Sequence, residues 1–144
     1  MYHVTNKKFV QQIMKEGLKV GKSGGHTYDG GQWAFSVYGK RPIYLSAKPN
    51  KYPGAIIKVD VTDLPLIADL QSIYDTGAYY CTNHDGEMWW KNTPDIMSDV
   101  IDQEGYIYFD DLLDPEHHVA SAAIQLTSTA AVLEDIQPCR LTLM

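Results

Sequence analysis

Apolar residues recur at helical spacing once, early in the chain, and at strand spacing several times after it. Phe9, Val10, Ile13, Met14 and Leu18 fall at intervals of three and four, which predicts an amphipathic helix from about Asn6. Thr5 or Asn6 would cap it and Gly17 would stop it. The stripe reads as core, with Lys7, Lys8, Lys15 and Glu16 toward solvent. Ahead of it, Tyr2-His3-Val4-Thr5 reads as a short strand.

Downstream, Arg41-Pro42-Ile43-Tyr44-Leu45-Ser46 reads as a short apolar strand. Residues 55–61, β-branched and following Pro53-Gly54, predict the clearest strand of the chain. Residues 64–70 are apolar but interrupted by Pro65, so they read as a loop or short helix. Residues 71–100 are aromatic and polar, with a turn signal at Asn83-His84-Asp85-Gly86, and read as an irregular, partly helical insertion. Strands are expected at 106–109 and at 120–126, with 129–133 as a continuation, and at 140–144. Many short strands with few helices predict the α+β class. A length of 144 residues predicts one domain, 1–144, with 71–118 as an insertion or acceptor-recognition region.

Composition narrows the partners. No stretch approaches the roughly 18 apolar residues of a membrane span, and no charged-then-apolar leader opens the chain, so a cytoplasmic protein without a membrane partner is expected. Cys81 and Cys139 stand outside any Cys-x-x-Cys spacing, which leaves one disulfide open but predicts reduced thiols and no zinc site. His117-His118 has no third ligand at a familiar spacing, and Asp110, Asp111 and Asp114 lack the glycine and closing Glu of a calcium loop, so no metal is expected. Residues 1–51 hold nine Lys or Arg against two acids, whereas 52–144 hold three against sixteen. The basic stretch suits a phosphorylated ligand, or pairs with the acidic remainder in the fold. The five glycines of residues 21–31 do not follow a Walker spacing and read as a loop, either a cover for a ligand or a connection. Trp89-Trp90 reads as a cover over the insertion's own core.

His3 stands out because it lies on the first strand, two residues short of a helix. A strand-to-helix turn offers backbone N–H groups and a positive dipole end, which suit an anionic or carboxamide-bearing ligand. The structural alternative is a partly buried histidine bonded to a neighbour.

Three stretches in order resemble the ADP-ribosyltransferase superfamily, in its diphtheria-toxin-like and poly-ADP-ribose-polymerase-like branch. They are Tyr2-His3-Val4-Thr5, the helix ending Ile13-Met14-Lys15-Glu16-Gly17-Leu18, and Ile43-Tyr44-Leu45-Ser46. Small bacterial and phage members show a similar Tyr-His-x-Thr opening and Ile-x-x-x-Gly-Leu helix end, and Ile136-Gln137-Pro138 is similar to their closing Ile-x-Pro. The resemblance covers the first sixty residues, with a weaker echo at the end. It implies an ART-like fold of two small packed sheets around a cleft for NAD+. It also implies a mono-ADP-ribosyltransferase that modifies a macromolecular acceptor, protein or nucleic acid. His3 would bond the adenosine ribose, and the Val4 backbone would hold the nicotinamide carboxamide beside Thr5. Tyr44 and Tyr52 would bracket the nicotinamide, and Ser46 would support the site.

The family's late-strand glutamate is the point of departure. Gln125 falls where that acid would stand, and Glu104, in Glu104-Gly105-Tyr106-Ile107-Tyr108, is its rival. A glutamine can bond a ribose hydroxyl but cannot act as a general base. The expected catalytic set is therefore His3, Tyr44 and Gln125. The alternatives are a non-enzymatic NAD+-binding or interaction module on the same fold, and an RNA 2′-phosphotransferase-like enzyme. The latter branch uses several arginines, and this chain has only Arg41 and Arg140.

Overall fold

A computed structural model describes residues 1–21, 39–51, 53–69, 72, 78–82, 88–92, 106–107, 124–125 and 127–144. The chain opens with β1 (Tyr2–Thr5), a 3₁₀ turn (Lys7–Phe9) and α1 (Val10–Glu16). After it come β2 (Ile43–Ser46), β3 (Ala55–Val59), β4 (Leu66–Ile67), β5 (Ala78–Thr82), β6 (Met88–Asn92) and β7 (Tyr106–Ile107). β8 (Thr129–Val132), a second 3₁₀ turn (Pro138–Arg140) and β9 (Leu141–Leu143) complete it. Seven strands form one antiparallel ladder in the order β7-β4-β8-β2-β1-β3-β9, and β5 and β6 pair separately as a hairpin. The mixture of short helix and antiparallel strands is the expected α+β class. The seven strands are not divided into the two packed sheets that the resemblance implies, because β1 joins their halves through one register pair, Tyr2↔Ser46.

The helical segment starts where its pattern predicts, as the 3₁₀ turn that leads into α1, with Asn6 capping the turn: its Oδ1 accepts from the Lys8 N–H at 3.1 Å and its carbonyl from the Phe9 N–H at 3.0 Å. Gly17 ends it at φ 86°, donating its N–H to Ile13 O at 2.8 Å. A Cβ on Gly17 would lie 2.3 Å from Ile136 O and 3.2 Å from Pro138 Cδ. Leu18 and Ile136 exchange backbone bonds of 2.9 Å there. The Gly-Leu helix end and the closing Ile-x-Pro segment, over a hundred residues apart, thus meet in one bridge.

The core lies between this helix and the sheet, built on Ile43, Ile57, Val59, Leu66, Val132 and Ile136, each 1% exposed or less. All four β8 residues are buried, so the strand, flanked by β2 and β4, is covered on both faces.

Several expectations are corrected. Within residues 64–70, Leu66 and Ile67 form β4, because Pro65 lies before the strand, where no ladder N–H is needed, and β7 and β8 pair on either side. Residues 71–100 hold the β5–β6 hairpin, with the Asn83-His84-Asp85-Gly86 signal lying between its strands. Ile124 and Gln125 are helical instead of lying on a strand, and β8 is a separate element after them. β8, and not this segment, pairs with β2. Residues 22–31 of the glycine-rich loop, Tyr52, Glu104, residues 110–115 and His117-His118 lie outside the described residues.

Candidate functional site

β1 and β2 diverge immediately after the pair at which they meet, and the direction of the peptide groups at the divergence follows from the register. Met1 and Val59 exchange reciprocal bonds: the Met1 nitrogen donates to Val59 O at 3.0 Å and Val59 N to Met1 O at 2.8 Å. Antiparallel strands alternate hydrogen-bonded and non-hydrogen-bonded pairs, so His3↔Ile57 and Thr5↔Ala55 carry the β1–β3 bonds. The bond from Met144 N to Ile56 O, directed at the opposite side of β3, obeys the same alternation. Tyr2 and Val4 therefore turn their N–H and C=O toward β2. Tyr2 meets Ser46; Val4 faces the gap.

The His3 side chain spans that gap. Its Nδ1 lies 3.1 Å from Tyr44 O. A carbonyl only accepts, so Nδ1 carries the proton and Nε2 keeps its lone pair as an acceptor. Burial pushes the His3 pKa below the ordinary value, and the bond to Tyr44 O opposes that to a lesser extent. The imidazole is thus neutral near pH 7. Gly54 lets β1 and the start of β3 come this close: a Cβ there would lie 2.7 Å from Thr5 O and 2.8 Å from Val4 Cγ1.

The divergence opens into a cleft of about 620 Å³. β1 lines it with His3, Val4 and Thr5, and β2 with Tyr44 and Ser46. Five expected site residues are therefore brought together. Tyr52 lies outside the described residues. Gln125 does not line the cleft; it is exposed on the helical turn before β8, so its expected place on a strand facing the ligand is corrected.

Two groups of lining residues were not singled out by the sequence. Phe9 and Ile13, assigned to the core stripe, line the cleft, and Phe9 is 46% exposed with Lys8 Nζ 4.8 Å from its ring centroid. The helical spacing held the signal: neither the 3₁₀ turn nor α1 has a fully buried residue, so part of their stripe reaches the opening. Asp69, Thr129 and Ser46 form a buried polar floor, none more than 2% exposed. Ser46 pairs with Thr129, and the Ile67↔Ala131 register carries on to place Asp69 beside Thr129.

The strand-to-helix turn is not an open anion site, since Asn6 already takes the N–H groups of Lys8 and Phe9. Arg140 is engaged away from the cleft, its Nη1 donating to Thr62 O at 2.5 Å and Asp60 O at 3.3 Å. Among the described residues no group of His, Cys, Asp and Glu is placed to hold a metal ion, and no helix is long and apolar enough to cross a membrane. Comparisons of the chain with protein-family models, with curated proteins and with solved structures find no match.

Proposed function

We propose that the chain binds NAD+ in the β1–β2 cleft and transfers ADP-ribose from it to a macromolecular acceptor, as an ART-like mono-ADP-ribosyltransferase. The observation that carries this reading is the His3–Tyr44 link across the separated strands, with the Val4 peptide groups turned to the gap beside it. A paired N–H and C=O on one residue match the acceptor and donor of a carboxamide. The neutral His3 ring offers Nε2 as acceptor to a ribose hydroxyl. Phe9 and Tyr44 supply aromatic faces for a planar cationic ring. Lys19, also on the cleft wall, supplies positive charge for a pyrophosphate.

In the reaction the C–N bond between ribose and nicotinamide breaks, nicotinamide leaves with the bonding pair, and an acceptor nucleophile forms the new bond and loses its proton. The residues of the cleft position the ribose and stabilise developing positive charge, the effects that dominate when charge builds at one carbon. The position of Gln125 outside the cleft favours a second reading, a module that binds NAD+ without turning it over. Incubation with NAD+ labelled in the ADP-ribose moiety, with lysate protein and RNA as acceptors, separates the two. Label transfer that is lost in His3→Ala supports the enzyme; thermal stabilisation by NAD+ without nicotinamide release supports the module. Neither stabilisation nor release would overturn both.

A further inference from the structure

Asp69 is a carboxylate 1% exposed at the inner end of the cleft. Burying such a group is costly unless its acceptor sites are filled. Ser72 fills some of them: its N–H donates to Oδ1 at 3.1 Å and its Oγ–H to Oδ2 at 2.8 Å. Two carboxylate oxygens offer about four acceptor positions, so capacity remains. The adjacent hydroxyls do not use it. Ser46 Oγ donates to Lys48 O at 2.8 Å, and Thr129 Oγ1 donates to Thr127 Oγ1 at 2.8 Å. Both are turned back into their own loops.

Asp69 has a cationic neighbour already. Lys51 is near enough for Asp69 to raise its pKa, although burial, and to a lesser extent the charge of Lys48, holds that ammonium below its ordinary value overall. Lys51 Nζ itself donates to Thr127 O. A further cation would be repelled by the Lys51 ammonium, whereas a neutral O–H donor would not. The chemistry left at the floor is thus an acceptor for a hydroxyl.

We infer that Asp69 is a specificity-determining residue that accepts a hydrogen bond from a ribose hydroxyl of the ligand, with Ser72 holding the carboxylate in place. This rests on the NAD+ reading and assigns a share of its recognition to a residue on β4's trailing end. A buried bond to a charged acceptor is strong because its loss leaves the carboxylate unsatisfied.

The test is calorimetric titration of the full chain and of Asp69→Asn with NAD+ and with a set of NAD+ analogues, each lacking one ribose hydroxyl. In the wild type, one analogue should bind about tenfold or more weakly than NAD+, the factor expected for a hydrogen bond to a charged group. In Asp69→Asn that ratio should fall toward one while the other ratios hold. Ratios are taken within each protein, so a general loss of affinity does not imitate the result. If Asp69→Asn does not fold, Ser72→Ala carries the same comparison and should shrink the same ratio several-fold. Binding of NAD+ with every ratio unchanged in the variant overturns this inference alone. Failure of the wild type to bind NAD+ overturns the function reading, and this inference with it.

Discussion

His3 donates through Nδ1 to the carbonyl of Tyr44, 3.1 Å away, just past the point where their strands stop pairing. A side chain thus takes a carbonyl that a continued antiparallel ladder would direct at the Val4 N–H. The link holds the separated strands in register without closing the space between them. A cleft within a sheet needs such a device, because main-chain groups left to themselves would pair.

That link carries a pH dependence. Burial holds His3 below its ordinary pKa of 6.5, so the unfolded chain takes up this proton more readily than the folded one. Stability from His3 is therefore full above the unfolded value and is lost as pH falls toward the lower folded value. Asp60 is held low by its bonds from Thr62, and Asp135 by its bond from the Val20 N–H. Their contributions are present above the unfolded carboxylate pKa of 3.8 and are lost as pH falls through the still lower folded values. Urea unfolding at several values between about pH 7 and pH 5 should show falling stability, and His3→Gln should reduce that slope. The histidines outside the described residues act alike in both proteins. An unchanged slope would show that His3 does not titrate differently on folding.

The meeting of Gly17 with Ile136 predicts a large difference between substitutions at two glycines of positive φ. Gly17 at φ 86° and Gly39 at φ 70° both lie in the left-handed region, where a side chain costs about 1 kcal/mol. Of the two, Gly17 is the one where a Cβ would also meet a carbonyl, 2.3 Å away; among the described residues nothing lies within 4 Å of a Cβ on Gly39. Gly17→Ala should therefore lose roughly 3 kcal/mol or more in denaturant unfolding, against about 1 kcal/mol for Gly39→Ala. Equal losses would mean that the bridge to Ile136 gives way freely.

What can be read from the chain divides along local and non-local lines. β1, the Asn6-capped 3₁₀ turn with α1 behind it, β2 and β3 each carry their signal within a few residues, so the opening of the cleft follows from short patterns. β4 does not, because two residues show no periodicity and exist as a strand only through β7 and β8. Asp69 inherits that problem, since its burial depends on the register of strands sixty residues later. The β5–β6 hairpin is hidden by aromatic residues that read as an irregular cover. Gln125 takes its expected place by analogy with a strand, whereas the chain there makes a helical turn and β8 pairs with β2.

Lys19 and Asp135 make an ion pair at 3.5 Å, with both side chains over a third exposed. An exposed pair of this kind contributes little after solvent screening. Asp135 has a second role, since its Oδ1 accepts from the Val20 N–H at 2.8 Å and ties the chain after α1 to the closing segment. Lys19→Ala should change stability by less than about 0.5 kcal/mol, whereas Asp135→Ala should lose about 1 kcal/mol. Raising the salt concentration should leave the Asp135→Ala loss largely in place. A loss confined to low salt, and equal in the two variants, would assign the effect to the ion pair instead.

The alternation along β1 makes the sharpest prediction, because it assigns neighbouring peptide N–H groups opposite tasks. Thr5 pairs with Ala55 as a hydrogen-bonded pair, so its N–H serves the β1–β3 ladder; Val4 turns its N–H to the cleft. Proline removes the N–H at either position and restricts φ equally. Thr5→Pro therefore breaks a ladder bond, whereas Val4→Pro breaks none toward β3. Thr5→Pro should lose about 3 kcal/mol in unfolding experiments and Val4→Pro less by about 1 kcal/mol or more. If the Val4 peptide holds a carboxamide, Val4→Pro should also weaken NAD+ binding about tenfold at a stability where His3, Tyr44 and the floor are still in place. Calorimetry on Val4→Pro separates the two claims: greater instability than Thr5→Pro would invert the alternation derived from Met1 and Val59. Intact NAD+ binding in a stable Val4→Pro protein would leave the alternation standing and remove this N–H from ligand recognition.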